Sequence, residues 1–255
     1  MDFTVEKYRE LCRALLDHGF VPLTLESYLS GKAASAGNKR VLMRHDVDRW
    51  LHTALRMAKV ETELGISSSY YFRIPTTWNP SVIREISQLS HEVGLHYEVM
   101  DKARGDGELA AEYMTRDLEK MRALAEVRTV AMHGNPRTPF DNRDFWQAND
   151  LADFGLLGES YRSVDFEDLH YFTDTGRAWN ADEFNVYDRP TDPQGLPALD
   201  LSSTDDLISA LPGLEKDVYL VTHPERWSAN IMEWWLSWAK DFVANRLKIL
   251  ARRNF

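Results

Sequence analysis

With a single cysteine, Cys12, the chain has no internal disulfide framework, as suits a reducing compartment. It has no basic surplus either. Lys and Arg number 30 against 40 Asp and Glu, a net charge of −10, and this argues against nucleic acid as the main partner, because phosphate backbones need a basic footprint. No apolar run approaches the length that spans a bilayer, so an integral membrane protein is not expected. The opening residues, Met1-Asp-Phe-Thr-Val-Glu-Lys7, lack the basic segment and apolar stretch of a secretory signal, which makes the cytoplasm the expected address. Internal repeats, low-complexity tracts and Gly/Ser linkers are missing as well. Residues 1–255 are therefore expected to form one domain.

What the chain does have is an alternation of two apolar periods. Tyr8, Leu11, Leu15 and Leu16 recur at helical spacing over residues 4–18, and Gly19 stops the run. A short strand at 41–43 precedes a helix over 51–64 that Gly65 ends, and 67–74 is again strand-like. A helix over 80–93 leads into a strand at 93–96, and a charged helix over 108–124 into a strand at 128–132. Pro190, Pro193 and Pro197 mark 188–197 as a loop. Strands separated by helices of this size pair in parallel, so the expected fold is α/β, a distorted (β/α) barrel of about seven parallel strands.

Five strand-like runs end in acidic, histidine or arginine side chains: Val41-Leu-Met-Arg-His-Asp-Val-Asp48, Glu92-Val-Gly-Leu-His-Tyr-Glu98, Thr129-Val-Ala-Met-His-Gly134, Tyr171-Phe-Thr-Asp-Thr-Gly-Arg177 and Val218-Tyr-Leu-Val-Thr-His-Pro-Glu225. Barrel enzymes build their active face in this way. Asp46 and Asp48 share one face of an extended strand, and two ionised carboxylates side by side call for a cation or an arginine between them. Asp48 has a second reading, as the N-cap of the helix that follows. His96 and His133 end neighbouring strands, and with Asp48 they make a three-ligand set with an open position, as catalytic zinc requires. An unperturbed imidazole titrates near neutral pH, which suits His223 to a general acid; its other reading is a structural histidine at the Pro224 turn.

These segments resemble the motifs of the polysaccharide deacetylases with a NodB-type domain, carbohydrate esterase family 4. Arg44-His-Asp-Val-Asp48 resembles the first motif, His91-Glu-Val-Gly-Leu-His96 the approach to the second, Arg137-Thr-Pro-Phe-Asp141 the third and Val221-Thr-His223 the last. The likeness spans roughly residues 40 to 227 and is similar to a divergent, WbmS-like subgroup with an RHDVD first motif, linked to surface-polysaccharide biosynthesis. It implies a NodB-type barrel and a hydrolase that removes an N-acetyl group from a sugar of a surface-polysaccharide or lipopolysaccharide precursor carried on a nucleotide or lipid. It also implies Asp46 as base, His223 as acid, Arg137 as the arginine orienting the base, and a divalent metal, foremost Zn2+ with Co2+, Ni2+ or Mn2+ as alternatives, on Asp48, His96 and His133. The family's second metal histidine falls at Met100 here, a poor ligand for such a cation, so either His133 replaces it or the site is weakened. Hydrolysis of another amide or imide bond, or an inactive carbohydrate-binding relative, are the competing functions.

Asp174, Glu98 and Trp179 are read as substrate-binding residues at the mouth, although an Asp-Thr-Gly turn and ordinary burial compete for Asp174 and Trp179. At residues 228–253 an amphipathic helix carries Trp234, Trp235, Trp238 and Phe242 with Lys240, Arg246, Lys248, Arg252 and Arg253. It is read as docked on the barrel, with a peripheral membrane or partner-enzyme contact as the second reading.

Overall fold

The computed structural model describes residues 1–31, 39–135, 138–179 and 201–252. The proline-marked loop at 188–197 lies outside them. In chain order the elements are α1 (Val5–Asp17), β1 (Phe20–Leu23), α2 (Leu25–Leu29), β2 (Lys39–Val47), α3 (Leu51–Glu63), β3 (Ser69–Phe72), α4 (Pro80–Gln88) and β4 (Glu92–Tyr97). They continue with α5 (Val99–Ala103), α6 (Gly107–Arg122), β5 (Thr129–Met132), β6 (Gly158–Glu159), β7 (Leu169–Thr173), α7 (Thr204–Ala210), β8 (Asp217–Thr222) and α8 (Ile231–Arg252).

Among the described residues the eight strands belong to one sheet and every pairing is parallel, in the order β6-β5-β4-β3-β2-β8-β7, with β1 beside the first half of β2. This is the α/β class expected, with the anticipated seven or so parallel strands in the main path and β1 off it. The sheet curls until its two edges meet through side chains. Tyr219 Oη donates to the Ser160 carbonyl at 3.1 Å, the Tyr161 and Tyr171 hydroxyls stand 3.2 Å apart, and the Phe166 ring stacks on Tyr219 at 5.5 Å. The result is a distorted barrel closed by aromatics rather than by backbone.

Alternation along the central strands fills two cores. Leu42, Tyr219 and Val221 join the larger one, with β3, β4, β5, α4 and α6; Val41, Met43, Val218 and Leu220 face the other way, onto α1 and α7. Burial on both faces is why these strands read as continuous apolar runs. Helix α4 stops at Gln88 instead of running to 93, because Ser90 takes φ 68° and turns the chain into β4. Asp48 does not cap α3: the N-cap position is Trp50, with φ 48° and no side-chain cap bond.

Behind β2, on the face opposite Asp46, lies a buried polar knot around Glu61. Its carboxylate accepts from Tyr70 Oη at 2.6 Å, Ser68 Oγ at 2.7 Å and Tyr8 Oη, and it meets His45 Nε2 at 2.8 Å. His45 Nδ1 in turn lies 2.6 Å from Thr222 Oγ1, so α1, α3, β2, β3 and β8 are tied at one point. Burial alone would raise the Glu61 carboxyl, but His45 and His91 hold it down at about 2. A depressed carboxyl stabilises the fold above its unfolded pKa, about 4.3, and that contribution is lost as pH falls toward 2. Glu61→Ala should destabilise by about 3–5 kcal/mol, measured by urea unfolding at pH 7, because four polar partners are left buried and unpaired. A change under about 1 kcal/mol would show that the knot is not a structural tie.

Helix α8 is fastened at its start. Trp234 Nε1 donates to the Asp2 carbonyl at 2.8 Å, Ser237 Oγ to the Glu225 carbonyl at 2.7 Å, and Arg177 Nε to Asp241 Oδ2 at 2.8 Å. Its outer side leaves Ile231, Met232, Trp235, Leu236, Trp238 and Phe242 exposed by 39–71%. Among the described residues no helix is long and apolar enough to cross a membrane.

Candidate active site

The chemistry collects at the carboxyl ends of the strands. Asp48 follows β2, Arg73 follows β3, His96 and Glu98 close β4, His133 follows β5, Asp174 follows β7 and His223 follows β8. In a parallel barrel these ends share one face, where the loops that follow them can shape a site.

Asp48 Oδ1 lies at the centre. It is 3.6 Å from His96 Nε2 and 3.6 Å from His133 Nε2, buried, and without a hydrogen-bond partner. His96 Nδ1 stands 3.0 Å from the Ala131 carbonyl, which can only accept, so the proton sits on Nδ1 and Nε2 presents a lone pair. Burial keeps His96 below its ordinary pKa in spite of Asp46 and Asp48. Nε2 therefore faces Asp48 Oδ1 and Asp46 Oδ2, both at 3.6 Å, with lone pairs on both sides. Arg73 Nη1 lies 3.5 Å from Asp48 Oδ1 and Arg44 pairs with Asp46, so two guanidinium groups already face these acceptors, and a metal ion would meet the lone pairs of the imidazoles that they leave open. Two ligands each about 2.0–2.1 Å from one zinc ion in tetrahedral geometry lie about 3.3–3.5 Å apart, close to the spacing found here. Among the described residues no group of three or more His, Cys, Asp or Glu side chains is placed so that it could hold a metal ion. The fit rests on the donor chemistry and on the two legs that meet at Asp48 Oδ1.

The charges around this point are strongly coupled. Burial would raise Asp48, but His133, His96, His223 and Arg73 hold it well below the usual carboxylate range. Burial would lower His133, and Asp48 and Glu98 outweigh it and raise the imidazole. Six of the nine buried side-chain atoms without a hydrogen-bond partner among the described residues belong here: Arg44 Nη1, Asp48 Oδ1, Arg73 Nε, His133 Nδ1, Glu225 Oε2 and Arg226 Nε. Unpaired buried polar atoms are rare in folded proteins, and their concentration marks a place built for a ligand.

Asp46 is fully buried and held by its own strand neighbour. Arg44 Nε and Nη2 each donate to one of its carboxylate oxygens at 2.7 Å, a bidentate pair that fixes the carboxylate plane. The guanidinium is itself sandwiched inside the barrel, 4.5 Å from the Tyr161 ring and 5.8 Å from Tyr71. Arg137, expected from the sequence to orient the base, lies outside the described residues. The contact expected of it is made by Arg44.

On the other side, Asp174 is saturated. It accepts from the His223 amide at 2.9 Å, Arg226 Nη1 at 2.7 Å and Trp227 Nε1 at 2.8 Å, and pairs with His223 Nδ1 at 2.7 Å. Burial would raise its carboxyl, and Arg226 and His223 hold it down. An ionised Asp174 therefore keeps the proton on Nδ1 and leaves proton exchange to Nε2.

Three residues assigned to substrate by sequence take other places. Asp174 is fully buried and has no lone pair to spare for a sugar. Glu98 accepts from Arg73 Nη2 at 2.7 Å and lies 3.3 Å from His133 Nδ1, so it braces a candidate ligand; burial would raise it, and His133 and Arg73 hold it at about 2. Trp179 is packed between Phe3 and Trp227 in the second core, with Nε1 donating to Thr204 Oγ1 at 3.1 Å, so no ring face is open to a saccharide. Met100 packs against the larger core. Sequence reasoning missed Asn142, whose side-chain amide bonds the His133 carbonyl at 2.9 Å and the Met100 amide at 2.9 Å, joining the loops after β4 and β5.

No protein family and no curated protein matches the chain. Among solved structures it is similar to the Xyl-CE4 domain of a multidomain xylanase from the hindgut metagenome of Trinervitermes trinervoides, at 11% identity and a TM-score of 0.40, over 85% of this chain and 83% of that one.

Proposed function

We propose that the protein is a metal-dependent hydrolase that removes an N-acetyl group from a sugar of a surface-polysaccharide or lipopolysaccharide precursor. The observation that carries this reading is the convergence of Asp48 Oδ1 with two imidazoles, flanked by a fixed carboxylate and a fixed imidazole. Asp48, His96 and His133 would hold the ion, and two nitrogens with one carboxylate suit Zn2+ best, with Co2+, Ni2+ or Mn2+ as alternatives. What a divalent cation supplies there is polarisation of an acyl oxygen and a lower pKa for water. Asp46, anchored by Arg44, accepts the proton of the attacking water. His223, oriented by Asp174, hands a proton from Nε2 to the departing amine.

The precursor would be carried on a nucleotide or a lipid in the cytoplasm, and of the two the basic, aromatic C-terminal helix suits the lipid. The exposed stripe of α8 would serve as the peripheral contact. Acetate release from a panel of N-acetylated saccharides tests the reading. We expect release from at least one of them, a loss of about 10²-fold or more after chelation, and recovery on adding Zn2+ or Co2+. No release from any saccharide by the ion-loaded protein would end it.

A further inference from the structure

Glu225 has no part in the chemistry above, yet it lies in the same wall. It sits in the Pro224–Arg226 turn directly after β8 and is 4% exposed. Among the described residues Oε2 is buried without a partner, and Oε1 reaches only Arg49 Nη2, at 3.5 Å. The backbone that carries it is held on both sides. Ser237 Oγ of α8 donates to its carbonyl at 2.7 Å, and the Arg226 amide bonds the His223 carbonyl at 2.9 Å.

The charged groups that act on Glu225 are Asp48 at the end of β2, Arg49 beyond it, and His223 and Arg226 on its own turn. Burial and the Asp48 carboxylate push its carboxyl up to about 7 against the pull of the three cationic neighbours. An unpaired buried oxygen beside another carboxylate weakens a fold. Groups of this kind are kept where a ligand supplies the missing partner.

We propose that Glu225 is a further substrate-contacting residue, whose Oε2 hydrogen-bonds an N–H or O–H group of the saccharide next to the scissile acyl group, between Arg49 and His223. This rests on the deacetylase reading. It adds a specificity determinant that neither holds the ion nor carries the proton to the leaving amine.

Three measurements on Glu225→Ala and Glu225→Gln test it: acetate release, bound zinc, and Tm at pH 8. The expected result is a fall in kcat/KM of about 10- to 100-fold for Glu225→Ala, the loss of one hydrogen bond to a charged or buried group. Zinc content stays unchanged, and the Tm of Glu225→Gln equals or exceeds that of the parent. Wild-type kcat/KM in Glu225→Ala overturns the proposal. Zinc lost in step with activity overturns it too, because Glu225 would then be a ligand. Should Glu225→Ala fail to fold, Glu225→Gln decides: a lower Tm with full activity makes the residue structural and sinks the assignment. A parent protein that binds zinc but deacetylates nothing fails the underlying reading instead, and the two failures are told apart by the parent alone.

Discussion

In Asp46→Asn, acetate release falls by about 10²–10⁴-fold while the bound ion stays at the parent level. The carboxylate is fully buried, both its oxygens are taken by Arg44 at 2.7 Å, and Oδ2 lies 3.6 Å from His96 Nε2. An amide in that place keeps the shape and loses the basic oxygen. It also turns an N–H toward the Arg44 guanidinium, whose Nη1 already has no partner. The variant should therefore lose about 3–5 kcal/mol of stability, as buried ion pairs do when one member is removed. Activity is to be compared at a temperature where both proteins remain folded. Near-parent kcat would remove Asp46 from the chemistry, and loss of the ion would move it into the ligand set.

Asp174→Asn is the second large effect. Asp174 pairs with His223 Nδ1 at 2.7 Å as an acceptor, and an asparagine amide set in its place offers a donor to that nitrogen. The proton moves to Nε2 and the ring can no longer be oriented as the imidazolium. A fall in kcat of about 10³–10⁴-fold with little change in KM is expected from a tautomer change of this kind. The same substitution weakens the hold on Arg226 and Trp227, which share the carboxylate, so Tm falls as well. Unchanged kcat at 25 °C would mean that His223 carries no proton in the reaction.

Much of the candidate site could be read from the sequence as a set of strand ends, because it lies where periodicity changes. The runs ending at Asp48, His96, His133 and His223 are strands buried on both faces, so they stand out as apolar stretches that stop abruptly in polar groups. The alternation that put Asp46 and Asp48 on one face also puts Arg44 there, so the bidentate pair was within reach of the same argument. What could not be read was direction. Asp174 ends a strand as a substrate-facing aspartate would, but it turns inward because His223, Arg226 and Trp227, some fifty residues on, all donate to it. Trp179 follows a strand end and is nevertheless drawn into a core that α1, β2, α7, β8 and Trp227 build together. Strand β6, of two residues, is too short to show a period of its own, and β1 is interrupted by Pro22.

Isothermal titration of chelator-stripped protein with Zn2+ decides whether a cation belongs between these strands. One equivalent per chain is predicted, with binding weakened by about 10- to 100-fold or more in Asp48→Asn, His96→Ala and His133→Ala. A parent chain that takes up no divalent ion, or variants that bind it as tightly as the parent, would contradict the account.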